Sequence, residues 1–140
     1  MNPPLKQVAA LPYVETADGL LVLLITTRRM GRWTIPKGWP KPGLPDTELA
    51  AREALEEAGI RGDIGPRPIA QFLYTKRLHL FSWSKCTVDV YPLRARCQAL
   101  DWREKSSRRL LWIEPDEAAG RVGERGLARI LLELDPAKLA

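Results

Sequence analysis

The sequence predicts an α/β chain in which a mixed β-sheet carries helices packed on it, and three observations lead there. Two apolar runs flank an Asp-Gly pair early in the chain, a segment of strong helix formers with clear ends lies in the middle, and further strand-like runs precede leucines at helical spacing. The order strands, helix, strands, helix is that of a sheet with helices laid on it. With 140 residues, the chain suffices for one domain with its own core, residues 1–140, and is too short for two of ordinary size. An apolar fraction of 45% and a charged fraction of 28% exclude the disordered and membrane-spanning classes.

In chain order, "QVAALPYV" and "LLVLLITT" around "ADG" read as a β-hairpin. "WTIPKGWPKPGLPD" carries four prolines, and with its glycines it can be neither a regular helix nor a central strand, so a shaped loop is expected. Thr47 to Ala58 forms a helix, with Asp46 as its cap, Glu48 favoured at the positive end of the dipole, and Gly59 at the left-handed stop. Ile60 beyond it could touch Leu55. Strands follow at "IAQFLYTK", "LHLFSWS", "CTVDVYPLRA" and "RLLWI". In the third, Cys86, Val88 and Val90 alternate with Thr87, Asp89 and Tyr91, and Pro92 predicts a bulge or an edge position. "EPDEAAGRV" reads as a short helix opened by Pro115. Leu127, Ile130, Leu131 and Leu134 line one face of a last helix that Pro136 stops.

The net charge of +5 favours anionic partners, but the cations are scattered in "TTRRMGR", "YTKR" and "REKSSRR" and form no long tract for extended nucleic acid. "LLVLLI" is far below the roughly 20 residues of a membrane span. The N-terminus lacks the pattern of a secretory signal, so a cytoplasmic location is expected. Cys86 and Cys97 have no metal-ligand spacing and read as reduced, packed thiols. His79, in an aromatic strand, reads as a packing or hydrogen-bonding residue, and Trp112 as core.

"REALEEAGI" places Glu53, Glu56 and Glu57 at i, i+3 and i+4, on one helical face, with Ala50, Ala51, Ala54, Leu55 and Ala58 on the other. Like charges at that spacing cost a few tenths of a kcal/mol per pair, offset in part if Arg52 pairs with Glu48 or Glu56. A solvated charged face is one reading of such a segment. The other is an outward-facing site for a hard divalent cation, since Mg²⁺ takes carboxylates, water and substrate phosphates. The lysines of "PKGWPKPG" just upstream suit the second reading.

"GWPKPGLPDTELAAREALEEAGI", Gly38 to Ile60, resembles the signature box of the Nudix (MutT-like) hydrolases. Gly38, Arg52, Glu53, Ala54, Glu56, Glu57, Gly59 and Ile60 match at the family's spacing, and Leu44 stands where the family has its first Glu. The resemblance implies an α/β/α sandwich with a mixed sheet and a loop-helix-loop box. It also implies hydrolysis of a phosphoanhydride by water attack on phosphorus, with Mg²⁺ or Mn²⁺. Glu53, Glu56 and Glu57 would be metal ligands, joined by the carbonyl of Lys37, with Glu53 also orienting or deprotonating the water and Arg52 holding the carboxylates. Leu44 leaves open a replacement role for Glu48, and Asp89, Asp101 or Glu104 could serve as an extra base or ligand, with Glu104 slightly preferred.

"PKG" and "DWREKSSRRLLWIEPDEAA" look like the branch acting on diadenosine and diphosphoinositol polyphosphates. Arg28, Lys37, Lys41, Lys76 and Arg77 are the expected phosphate contacts, and a tryptophan could stack on a base. The partner implied is a small polyphosphate, with no membrane, and with nucleic acid only as a 5′-end substrate; the oligomeric state is left open. Nucleoside triphosphate or RNA 5′-end pyrophosphohydrolysis, and a non-catalytic phosphate-binding module, are the alternatives.

Overall fold

The computed structural model describes residues 4–139. Among them, eight strands form one mixed sheet: β1 (Leu5–Thr16), β2 (Gly19–Thr26), β3 (Trp33–Thr34), β4 (Lys37–Gly38), β5 (Ile60–Ile64), β6 (Ala70–His79), β7 (Ser82–Gln98) and β8 (Leu110–Ile113). The helices are α1 (Asp46–Ala58), α2 (Pro115–Ala119) and α3 (Arg125–Leu132). β1 and β7 pair in parallel at the centre, and the other pairings are antiparallel.

Alternation along the strands sorts side chains into two cores. Ala9, Leu11 and Tyr13 of β1 meet Leu127 and Leu131 of α3, whereas Val8 and Ala10 meet Leu49, Ala50, Ala54 and Ala58 of α1. Helices therefore cover both faces of the sheet, as the box resemblance implies. This is why β1 and β2 read as near-continuous apolar runs: a strand buried on both faces has no polar side to show.

Several expectations are revised. "LHLFSWS" is a hairpin turn at Leu80–Phe81 joining β6 to β7, with His79 exposed at the turn. β5, the polar "IRGDI", was not anticipated because only its ends are apolar; it forms by pairing with β7. Pro92 lies inside the central strand β7, neither at an edge nor in a bulge. It sits where β7 changes partner from β6 to β5, its carbonyl accepting from Gly65 N–H at 2.8 Å and that of Val90 from Ile69 N–H at 2.8 Å. The N–H that proline lacks would face this connecting loop, so no ladder bond is lost. The α1 cap is Pro45, without a side-chain bond, because the Asp46 carboxylate is drawn 2.9 Å from Lys6 Nζ. α3 ends at Leu132, so Leu134 packs on the core from beyond the helix, and Pro136 opens a short 3-10 turn. Cys86 is buried, Cys97 is exposed, both are free thiols, and Trp112 is half-buried against the α1 core.

The sheet also makes room for the site. β1 pairs with β2 only over its last residues, Tyr13 to Thr16, and nearer its start it takes β4 as partner at Val8 and Ala9. Ala10 N–H donates to the Pro36 carbonyl at 3.0 Å. The segment from Trp33 to Gly38 is thus stitched in beside β1 and held against the second half of α1, at Glu53 and Glu57.

α1 ends as the sequence predicts, with Gly59 at φ 69° and its N–H returned to the Leu55 carbonyl at 3.0 Å. The indole of Trp102 lies where a Cβ on Gly59 would go. Gly59→Ala is expected to cost about 2–4 kcal/mol, combining left-handed backbone strain with overpacking. Urea denaturation tests this, and a loss below about 0.5 kcal/mol would show that the Trp102 loop yields freely.

Candidate active site

The alanine stripe of α1 decides where its carboxylates point. Ala50, Ala54 and Ala58 are fully buried on the sheet, and three residues of helix advance about 300°, which puts positions 53 and 57 only about 60° from 50 and 54. Glu53 and Glu57 are accordingly 9% and 6% exposed. The outward carboxylate face expected from the sequence is corrected on this point: two of the three acids sit at the edge of the seated surface, under the loop that precedes the helix.

That loop comes very close. A Cβ on Gly38 would overlap the Glu53 carboxylate, so only glycine lets the backbone pass. Beside it, Lys37 N–H donates to Glu57 Oε1 at 3.4 Å. From the other side Arg108, largely buried, places Nη2 3.6 Å from Glu57 Oε1 and Nε 2.9 Å from Glu104 Oε1. Its Nη1 donates to the Thr26 carbonyl at 2.8 Å, tying the site to the end of β2. Glu104 is fixed in turn by its N–H, which donates to the Glu56 carbonyl at 3.0 Å.

Glu57 feels this environment strongly. Burial first, then the neighbouring Glu53 carboxylate, push its carboxyl up from 4.5 to about 9, against the opposing pull of Arg108. Two acids facing one guanidinium in a dry setting fit a hard cation, which would favour the ionised form of both. Among the described residues no three acidic, histidine or cysteine side chains are gathered as a ligand set, and Glu56 faces Arg103, Nη1 to Oε1 3.7 Å.

The other predicted residues fall out as follows. Arg52 is exposed and makes no ion pair among the described residues, so its expected pairing with Glu48 or Glu56 is replaced by contacts from Arg108 and Arg103. Leu44 packs against the α1 core, and Glu48 is exposed. Lys37 directs its ammonium to Thr34 Oγ1 at 3.1 Å and Glu124 Oε2 at 3.3 Å, with Thr34 also bonded to Glu124 at 3.1 Å. Lys76 lies 5.8 Å from the ring centre of Trp39, and burial followed by the charge of Lys37 lowers the pKa of its ammonium. Arg28 is exposed, with Nε 3.7 Å from Glu104 Oε1, and Lys41 is exposed. Arg77 donates to the carbonyls of His79 and Leu80 in its own turn. Asp89 is taken up by Lys6 and Gln71, and Asp101 is exposed in the Trp102 loop.

An open pocket of about 400 Å³ lies between residues 26–31 and 106–109, and it is lined by Arg28, Arg29, Arg108 and Arg109 among others. Sequence reasoning missed Arg108, Arg109 and Glu124. The basic "SSRR" run was visible, but nothing in it shows that one arginine turns inward to the carboxylates while its neighbour faces the solvent.

Because its folded-state carboxyl is raised, Glu57 contributes stability that is full below about 4.5 and falls as pH rises toward about 9. In metal-free protein, Glu57→Gln is expected to raise the thermal midpoint at pH 8 by on the order of 5 °C and to leave it nearly unchanged at pH 4.5. An equal shift at both pH values would rule out this titration as the cause. Glu124→Ala, which strands the Lys37 ammonium, is expected to cost roughly 2–3 kcal/mol in denaturant unfolding.

No family model matches the chain. Over 126 residues it is 31% identical to bis(5′-nucleosyl)-tetraphosphatase (asymmetrical) of Sus scrofa, covering 88% of this chain and 83% of that protein. It is 27% identical over 115 residues to diphosphoinositol polyphosphate phosphohydrolase 3-beta of Bos taurus, covering 81% of this chain and 60% of that one. The crystal structure of the C. elegans Ap4A hydrolase superposes with a TM-score of 0.65 over 99% of this chain and all of that one, at 21% identity. With the box residues on α1, the sandwich around them and a relative of this similarity over most of both chains, the protein belongs to the Nudix hydrolase family.

Proposed function

We propose that this hydrolase cleaves a phosphoanhydride bond in a dinucleoside polyphosphate, with Mg²⁺ as its cofactor and Mn²⁺ able to substitute. The observation that carries the reading is the position of Arg108, which sets Nη2 3.6 Å from the buried Glu57 carboxylate and lines the four-arginine pocket. A polyphosphate seated in that pocket lies next to the acids.

In this reading Glu53, Glu56 and Glu57 hold the cation with the carbonyl of Lys37. The Lys37 N–H already faces Glu57, and in extended backbone the carbonyl of the same residue leaves on the same edge. When bound, the dication neutralises phosphate charge and lowers the pKa of a ligated water. Glu53 would orient an attacking water and take its proton as the new P–O bond forms. The bridging P–O bond breaks with its electrons left on the departing phosphate. Glu104, tethered through Arg108 and the Glu56 carbonyl, supplies the carboxylate that Leu44 does not. Arg28, Arg29 and Arg109 bind the remaining phosphates, with Lys76 and the exposed Lys41 as outer contacts. The Trp39 ring beside Lys76 is the stacking surface for a base. Arg77 is held by the carbonyls of its own turn, and Arg52 is exposed without an ion pair among the described residues.

The arginine pocket has no aromatic wall, which favours a second reading: a base-free, densely charged diphosphoinositol polyphosphate. Product analysis with Mg²⁺ separates the two. Diadenosine tetraphosphate should give unequal products, a mono- and a triphosphate, whereas turnover of the inositol substrate alone would select the second reading. Glu53→Gln is expected to lower kcat by about 10²–10³-fold with little change in KM, and the Arg28→Ala/Arg29→Ala double variant to raise KM about tenfold. Mn²⁺ should raise the thermal midpoint more at pH 8 than at pH 6, since ligation requires ionised Glu57. Unchanged midpoints at both pH values would remove the metal from this site.

A further inference from the structure

We propose that the hairpin formed by β6 and β7 docks the enzyme onto an anionic membrane surface. Its turn presents large apolar side chains to solvent: Leu78 is 40% exposed, Leu80 64%, Phe81 84% and Trp83 56%. Residue 78 is the extra residue of a register shift between Arg77 and His79, which pushes the turn out of the regular ladder. No core cluster includes any of these four side chains.

The charge around this apolar tip identifies its occupant. From Ala70 to Val88 the chain carries no acidic residue, and beside the tip it carries the cations Arg77 and Lys85, with Lys76 set farther back toward Trp39. A second copy of the hairpin would bring like charges together, so self-association is disfavoured and an anionic surface is matched. The order of side chains along the hairpin then selects lipid. Leu80 and Phe81 form the turn, and Trp83 lies two residues back, about 7 Å at strand rise, opposite Arg77. Lys85 lies four residues back, about 13 Å, opposite Thr75.

Hydrocarbon first, an indole next and cations last is the order in which a bilayer presents acyl chains, interface and phosphate headgroups. The Arg77 guanidinium lies 5.9 Å over the Trp83 ring, so one cation is held at the depth of the indole. Nucleic acid would reward stacking rings throughout the tip, whereas two of its four exposed residues, Leu78 and Leu80, are aliphatic and cannot stack.

The experiment is vesicle flotation of the full chain with phosphatidylcholine alone and with phosphatidylcholine containing a quarter phosphatidylglycerol. Binding is expected only to the anionic vesicles, weakened at high salt, about tenfold weaker for Lys85→Glu, and abolished for Leu80→Ser/Phe81→Ser. That double variant lies in an exposed turn and should keep the wild-type thermal midpoint and hydrolase activity. A blue shift of tryptophan emission on anionic vesicles, missing in Trp83→Phe, would place the indole in the interface. Equal binding to both vesicle types, or undiminished binding by the double variant, overturns the proposal. So would a dimer in sedimentation velocity that dissociates on Leu80→Ser/Phe81→Ser, or oligonucleotide binding without vesicle binding.

Discussion

The near-contact between the Gly38 backbone and the Glu53 carboxylate constrains much of what surrounds it. For the loop to pass that close, α1 must be seated firmly and in one rotation, which the fully buried Ala50, Ala54 and Ala58 ensure. The loop must also be held from its far side. The β4 pairing with β1 and the Lys37–Thr34–Glu124 network do this, clamping the residue before Gly38 through both backbone and side chain. Two acids are thereby kept in a space from which water is largely excluded, and the raised Glu57 carboxyl is the electrostatic record of that confinement.

A second clamp comes from a distant part of the chain. Residues 98–108 wrap the end of α1: Gln98 Nε2 donates to the Ala58 carbonyl at 3.0 Å, Ala99 N–H to the Gly59 carbonyl at 2.8 Å, and Glu104 N–H to the Glu56 carbonyl at 3.0 Å. These bonds satisfy carbonyls at the helix end that have no intrahelical partner. They also deliver Arg108 and Glu104 to the site in fixed positions. Removing a buried guanidinium that bridges two carboxylates and a backbone carbonyl would leave like charges unscreened, so this loop is as much part of the active centre as the helix is.

The same sheet serves a different purpose at its other end. Away from the helices, the β6–β7 hairpin extends beyond the two cores, and its large apolar side chains at the turn are exposed. Strand alternation there no longer sorts apolar from polar faces. "LHLFSWS" reads as a strand from its aromatic and aliphatic composition, and only the turn at Leu80–Phe81 shows that its large side chains face solvent.

By itself the sequence determined the class of sheet, the extent of α1 to within a residue and its stop at Gly59, and the clustering of Glu53, Glu56 and Glu57 on neighbouring turns of that helix. Each of these follows from local chemistry: a run of helix formers stopped by a glycine, a two-residue period, and charges at i, i+3 and i+4. Tertiary structure alone decided that Glu53 and Glu57 point inward while Glu56 turns to Arg103, and that Arg108 takes the place expected of Arg52. It also decided that Pro92 is harmless in a central strand, because the missing N–H falls where β7 changes partners. The physical reason is common to all three. A side chain's direction and partners depend on which surface its element is pressed against, and that surface is made of residues tens of positions away in the chain.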